Sequence, residues 1–175
     1  MPFVDYLKLS SSLQWQQRDV QNDVFVIEEG RLNLSTRFAG GTGTNQLNKS
    51  YLGSDNIPSG QTTQFDLMNL TRSLFGSDIN INFSGDNVKV IYVENLSTGT
   101  GQDLFVCATG TAGFTQLLGY SYLGTVIKPG SYRMFYDLID GFPIFTGERY
   151  LYLSDINGNS GGIDYELGIF GVDFE

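Results

Sequence analysis

The sequence predicts an all-β protein, a β-sandwich or a closed barrel preceded by an extended N-terminal arm. From Asn87 to the C-terminus, short segments of alternating apolar and polar residues recur, each bounded by Gly, Pro, Asn or Asp. None is long enough, or has the right period, for an amphipathic helix. The composition agrees: 22 Gly against 4 Pro favours tight turns, and 14% aromatic residues suits pleated, half-buried strands.

The elements follow in chain order. Residues 1–54 are read as an N-terminal arm or additional strands, and residues 55–175 as the sandwich. Within the first part, Phe3–Leu9, Leu13–Gln17, Val24–Ile27 and Arg31–Phe38 are predicted strands, and Leu32, Leu34, Thr36 and Phe38 share a face. Gly40–Asn45 is a flexible stretch. It is no phosphate loop, because no Gly-Lys-Ser/Thr and no helix follow. Ile57–Gln61 turns into Thr62–Leu70, and Thr71–Gly76 reads as one helical turn ending at glycine. Asp78–Phe83 alternates with Ile79, Ile81 and Phe83 on one face, and Ser84–Asn87 closes it.

The later strands are Val88–Val93, Leu104–Thr109, Gly124–Lys128, Ser131–Tyr136, Tyr150–Leu153 and Tyr165–Phe170. Between the third and fourth, Lys128-Pro129-Gly130-Ser131 has the residues of a type II turn. Proline presets the second position and glycine accepts the positive φ of the third.

A chain of 175 residues suits one domain with a self-sufficient core. There is no histidine, so Ser-His-Asp and Cys-His hydrolysis are excluded, and with one cysteine a zinc site is not expected. Cys107 lies in Asp103–Ala108, a segment with no positive neighbour to activate a thiolate, and is expected to be a small buried side chain. A lone cysteine also points to folding in a reducing cytosol. Neither a signal peptide nor a membrane-spanning apolar run is visible. The sequons at Asn33, Asn48, Asn69, Asn82 and Asn95 are attributed to an Asn/Ser/Thr-rich composition.

Net charge is −9. From Met134 onward there is one base, Arg149, against eight acids, which places −7 on the last 42 residues and −2 on the first 133. That balance disfavours direct nucleic-acid binding and suits the coat of a soluble particle.

Three constellations could carry chemistry. Asp155–Glu166 places oxygen-bearing residues at positions 1, 3, 5 and 12 of a calcium-type loop. Ser160 stands where the turn needs glycine, however, and the flanks read as strands, so a hairpin loop is expected and no metal or cofactor is assigned. Asp137, Asp140, Glu148, Asp155, Asp164 and Glu166 could supply a glycosidase pair, but sequence spacing nominates none, and no catalytic residue is assigned. Aromatic residues are dense after Phe114: Tyr120, Tyr122, Tyr132, Phe135, Tyr136, Phe142, Phe145, Tyr150 and Tyr152. Alternation of Tyr150 and Tyr152 with Leu151 and Leu153 predicts one aromatic and one aliphatic face, the former available to a partner or a sugar. Trp15 could anchor the arm on a neighbour or within its own chain.

Residues 58–175 carry a familiar pattern. Gly60–Leu67 precedes the strand Val88–Asn95, followed by Asp103–Val106, the turn Ile127–Ser131, Tyr150–Leu153 and a closing Tyr165–Gly171. This resembles the jelly-roll structural proteins of tailed bacteriophage virions, such as capsid decoration (cement) proteins and head or tail fibre components. The resemblance covers about two thirds of the chain and rests on strands and turns. It implies an antiparallel, two-sheet jelly roll of eight strands, and a homotrimer bound to the major capsid protein or another virion protein. It also implies a virion location after assembly in the host cytoplasm, with no membrane partner. The alternative is a tail or fibre module that recognises host glycans. A carboxylate glycosidase is the third class left open.

Overall fold

The computed structural model describes residues 6–21, 24–40, 46–74, 77–107, 113–117, 124–137, 139–158 and 160–172, with side chains from Gln46 onward except those of Leu74 and Ser77. The chain is all-β, and every pairing between sandwich strands is antiparallel. Eight strands build two four-stranded sheets. They are β4 (Lys49–Ile57), β5 (Thr62–Asp66), β8 (Asn87–Asn95), β9 (Leu104–Cys107), β10 (Gly124–Ile127), β11 (Tyr132–Tyr136), β13 (Tyr150–Asp155) and β14 (Ile163–Val172). One sheet runs β11-β8-β14-β4, with the short β12 (Phe142–Pro143) added on β8; the other runs β10-β9-β13-β5.

The pairings are nested. β9 pairs with β10, β8 with β11, β5 with β13, and β4 with β14, working outward from the middle of the eight. The eight strands are thus one long antiparallel ribbon folded across itself, and the β8–β14 and β9–β13 ladders fasten the fold.

Alternation sets the core. On β13, Leu151 and Leu153 are fully buried while Tyr150 and Tyr152 face out half-exposed, as the sequence predicts. Tyr165, Leu167 and Ile169 of β14 join them, with Ile91 and Val93 of β8 and Leu104 and Val106 of β9. Each such aliphatic side chain contributes about 1.5–3 kcal/mol by leaving water. Phe65 sits between Tyr165 and Tyr51 in edge-to-face contacts of 6.0 and 6.5 Å. Cys107 is buried, as expected for a small apolar thiol.

Four consecutive residues of β8, Val88–Ile91, are buried, which simple alternation does not explain. The cause is a bulge. Phe170 of β14 is opposite Val90 while the next residue, Gly171, is opposite Val88, so Lys89 is extra. Val88 and Ile91 point into the main core, whereas Val90 packs on the other side with Leu47 and Val172.

Thr71–Gly76, expected to form a helical turn, is corrected. Leu70–Leu74 is a strand, β6, paired with β7 (Ser77–Ile81). Leu70 is opposite Ile81 and both are buried, so a hairpin with an apolar face that joins the core wins over a weak helix signal. Phe75 and Gly76 lie outside the described residues, as do Ala108 and Thr109 at the end of the Leu104–Thr109 segment. Ile79, Ile81 and Phe83 do share the core face.

The Lys128–Ser131 turn is as predicted: Gly130 has φ 67°, and the Ser131 N–H donates to the Lys128 carbonyl at 3.0 Å. It does not close a hairpin, however. β10 and β11 belong to different sheets, so the turn is a corner of the sandwich.

Ahead of the sandwich, β1 (Tyr6–Gln21) and β2 (Val24–Gly40) pair from Tyr6↔Ala39 to Gln21↔Val24. The sequence divides this stretch into four strands, but the ladder continues through Ser10–Ser12 and Gly30. Trp15 is at the register position opposite Gly30, and its side chain lies outside the described residues. A short β3 (Gln46–Leu47) runs parallel to the end of β2. β4 then spans positions 49–57, across the 54/55 boundary drawn from composition.

Gly130 and Gly162 separate two costs of adding a side chain. Both have φ near +70°, but a Cβ at Gly130 meets nothing within 4 Å, whereas at Gly162 it would lie 2.2 Å from the Ile57 carbonyl oxygen. Gly130→Ala should cost about 1–2 kcal/mol, the strain of the left-handed conformation alone. Gly162→Ala should lower the urea midpoint considerably more, because backbone must move as well.

Candidate functional site

The Asp155–Glu166 segment is not the hairpin loop expected from the sequence: β13 and β14 belong to different sheets, so it is a connection between them. Asp155 ends β13 and is buried. One of its oxygens accepts the Asn157 and Gly158 N–H groups at 3.1 Å each, and the other accepts the Gly60 N–H at 3.0 Å. Those bonds tie the loop to the Ile57–Gln61 turn. Asp164 accepts from the Asn56 amide at 2.8 Å, and Glu166 lies along β14. Asn159 lies outside the described residues. Among the described residues no group of three or more acidic or Cys side chains is placed to hold a metal ion.

Of the remaining candidate carboxylates, Asp137 and Glu148 have local partners. Asp137 accepts the Ile139 and Asp140 N–H groups at 2.9 and 3.1 Å, and the Ile139 bond chiefly holds its pKa below the ordinary value. Glu148 accepts from the Gln116 amide at 3.1 Å. From β8 the buried Lys89 donates to the carbonyl of Ile139, in the turn that Asp137 opens. Burial lowers the Lys89 pKa, with Asp137 and Asp140 opposing the shift.

Two outward faces remain. On the β10-β9-β13-β5 sheet, Tyr150 and Tyr152 have ring centroids 6.3 Å apart. Arg149 donates to the Tyr150 hydroxyl at 2.5 Å, its guanidinium lies 4.8 Å from the Tyr150 ring centroid, and its Nε is 3.5 Å from Asp66. Phe105 lies across Gly124, where a Cβ would be 2.0 Å from the ring. Tyr120 and Tyr122, which the sequence groups with these aromatics, lie outside the described residues, as do Gly41–Asn45.

The other face belongs to the β11-β8-β14-β4 sheet, and sequence reasoning missed it. One cross-strand row contains Tyr132, Glu94, Glu166 and Ser54; the next contains Met134, Tyr92, Gly168 and Leu52. Tyr132, Tyr136 and Leu52 are exposed. Tyr92 and Tyr132 are 5.6 Å apart between ring centroids, and the Tyr92 hydroxyl donates to Glu94. Gly168 forms the floor: a Cβ there would crowd Phe170 at 3.1 Å and Leu52 at 3.3 Å. The only signal in the sequence is alternation in β8 and β14 taken separately. Which residues share a row is decided by a pairing between positions 72 residues apart, Glu94 and Glu166.

Among the sequons, Asn95 is fully buried. Its amide donates to the Gln102 and Ile127 carbonyls at 2.7 and 3.0 Å, and its oxygen accepts the Ser97 N–H. It is a structural residue in the folded chain.

Compared with known proteins, the chain matches no protein-family model and no curated protein.

Asp155→Ala removes one acceptor for three backbone donors and should cost about 2–3 kcal/mol, read as a lower urea midpoint; Asp155→Asn should recover part of it. A second expectation concerns alkaline pH. Burial, helped by Asp55 and Tyr51, raises the Tyr165 pKa to about 12, and burial with the Glu94 hydrogen bond raises that of Tyr92 further. An unfolded tyrosine ionises near pH 10. Above that pH the unfolded chain therefore holds fewer protons than the folded one, and stability falls as pH rises. Tyr165→Phe should flatten the fall between about pH 10 and 12 by roughly 1.4 kcal/mol per pH unit, measured by urea titration at several pH values. Lys89 acts oppositely just below its unfolded pKa, where its lowered value makes stability rise with pH.

Proposed function

We propose that this chain is a non-enzymatic virion structural protein, a capsid decoration or cement protein of the tailed-bacteriophage type. In this reading the sandwich that begins with β4 at Lys49 is a jelly roll, the residues before it are an assembly arm, and the working unit is a homotrimer seated on the major capsid protein or another virion protein. The strand order carries the reading. Numbered one to eight, the sandwich strands run 1-8-3-6 in one sheet and 2-7-4-5 in the other, the order of a ribbon rolled into two Greek keys. Fold alone does not assign a role. The assignment to a coat adds the acidic surface, the resemblance of residues 58–175, and carboxylates engaged in turns and strand rows.

A second reading is favoured by one observation, the outward Tyr150 and Tyr152 beside Arg149 and Asp66. Stacking rings next to charged hydrogen-bonding groups suit a sugar, as in a tail or fibre receptor-binding module. The two readings separate cleanly. A cement protein copurifies with capsids and, added back to stripped particles, raises the temperature at which they lose their genome. A glycan-array signal that disappears in Tyr152→Ala, with no effect on particle heat resistance, would favour the receptor module instead.

A further inference from the structure

We propose that the outer face of the β11-β8-β14-β4 sheet receives the β1–β2 hairpin of a second copy of this chain, with Lys8 and Arg37 seated on Glu94 and Glu166. The inference deepens the reading of the chain as a self-assembling structural protein.

The starting observation is a like-charge pair. Glu94 and Glu166 are directly opposite on adjacent central strands and share the outer face. Opposed like charges destabilise a sheet unless something neutralises them. Among the described residues neither glutamate has a basic partner: Lys49 binds Asp86, Lys128 binds Asp103 and Arg149 lies by Asp66. Lys89 is committed to the Ile139 carbonyl. Arg133 is opposite Val93, a core residue, so it belongs to the other parity of its strand.

The complementary pair is in the hairpin. Lys8 is at the register position opposite Arg37, and Gln14 opposite Arg31, on the same face of the ribbon. Ser10↔Ser35 and Ser12↔Asn33 lie between them. From Tyr6 to Trp15 and from Gly30 to Ala39 there is no acidic residue. This is a second opposed like-charge pair, of the other sign, flanked by small residues that leave room for the exposed Tyr132 and Leu52. Each pair removes the other's repulsion, and charge matched in this way sets both partner choice and register.

Among the described residues, neither β1 nor β2 makes more than a marginal backbone contact with β8 or β14, so the hairpin of the same chain is not laid along this face. It is long enough to reach another copy. Its 16-residue first strand spans roughly 50 Å at about 3.3 Å per residue, whereas the longest sandwich strand has 10 residues. Passing each hairpin to the next copy around a ring uses both surfaces once per subunit and leaves neither open.

The test uses the purified full-length chain without capsids, its mass followed by sedimentation against protein concentration. The wild type should associate, and should dissociate as salt rises from about 0.1 to 1 M, over which the screening length falls from about 10 to about 3 Å. E94K/E166K and K8E/R37E should each weaken association at least about tenfold. Combining all four changes in one chain should restore it. Circular dichroism melts of each variant establish that the sandwich is folded, and E94Q/E166Q provides a milder probe that should lose only the salt-sensitive part. A wild type that stays monomeric overturns the proposal, as does association unaffected by either reversal, or reversals that the combination fails to rescue. The cement reading fails separately, through the particle experiment: a chain that assembles by these charges yet leaves capsid heat resistance unchanged would keep this contact and lose that role.

Discussion

Two antiparallel sheets can share one core only if every strand turns its apolar residues to the same side, and the rest of this molecule depends on meeting that condition. Period two makes it strict: a slip of one residue would send Leu151 and Leu153 outward and bring Tyr150 and Tyr152 into the core. The nested pairing meets the condition for all eight strands together. Once β9 and β10 are in register, each successive pair of the ribbon continues the same antiparallel ladder. The β8–β14 and β9–β13 ladders then bring Ile91, Val93, Leu104, Val106, Leu167 and Ile169 around Leu151 and Leu153.

Polar groups at the sheet ends fix how the ribbon turns. Asn95 spends its side-chain amide and oxygen on three backbone groups from three segments. Its own backbone N–H and carbonyl bond Ser131 and Gly130. The Lys128–Ser131 corner is thereby held against the end of β8. Asp155 does the same for the turn at Gly60, and Lys89, displaced by the bulge, does it for the turn at Ile139. These are buried polar groups with partners, which is the condition for tolerating them in a core. With the ends fastened in this way, the two outward sheet faces become fixed surfaces whose rows of side chains can act as units.

The strand positions from Asn87 onward were legible because each carries its own alternation and its own turn residues. Tyr150–Leu153, Asp78–Phe83 and the Lys128–Ser131 turn need nothing beyond local chemistry. The misreading at Thr71–Gly76 has the converse cause: the glycine at its end reads as a helix stop, and only pairing with Ser77–Ile81 makes Leu70–Leu74 a strand. In the N-terminal segment, serines and Gly30 look like interruptions until the facing strand supplies a continuous ladder. Of the two outward faces, the Tyr150/Tyr152 face could be read from one strand. The Tyr132–Glu94–Glu166 row could not, because its members come from three strands.

The sequence by itself determined the secondary structure class, the aliphatic sides of the strands, the acidic character and the exclusion of histidine-based chemistry, because each follows from residue type and local period. Tertiary structure decided which strands are neighbours, and therefore that the Lys128–Ser131 turn is a corner between sheets. It also decided that Asp155 is a loop anchor and that Glu94 faces Glu166. Those outcomes depend on contacts between residues far apart in the chain, and alternation within one strand is the same whichever strand lies beside it.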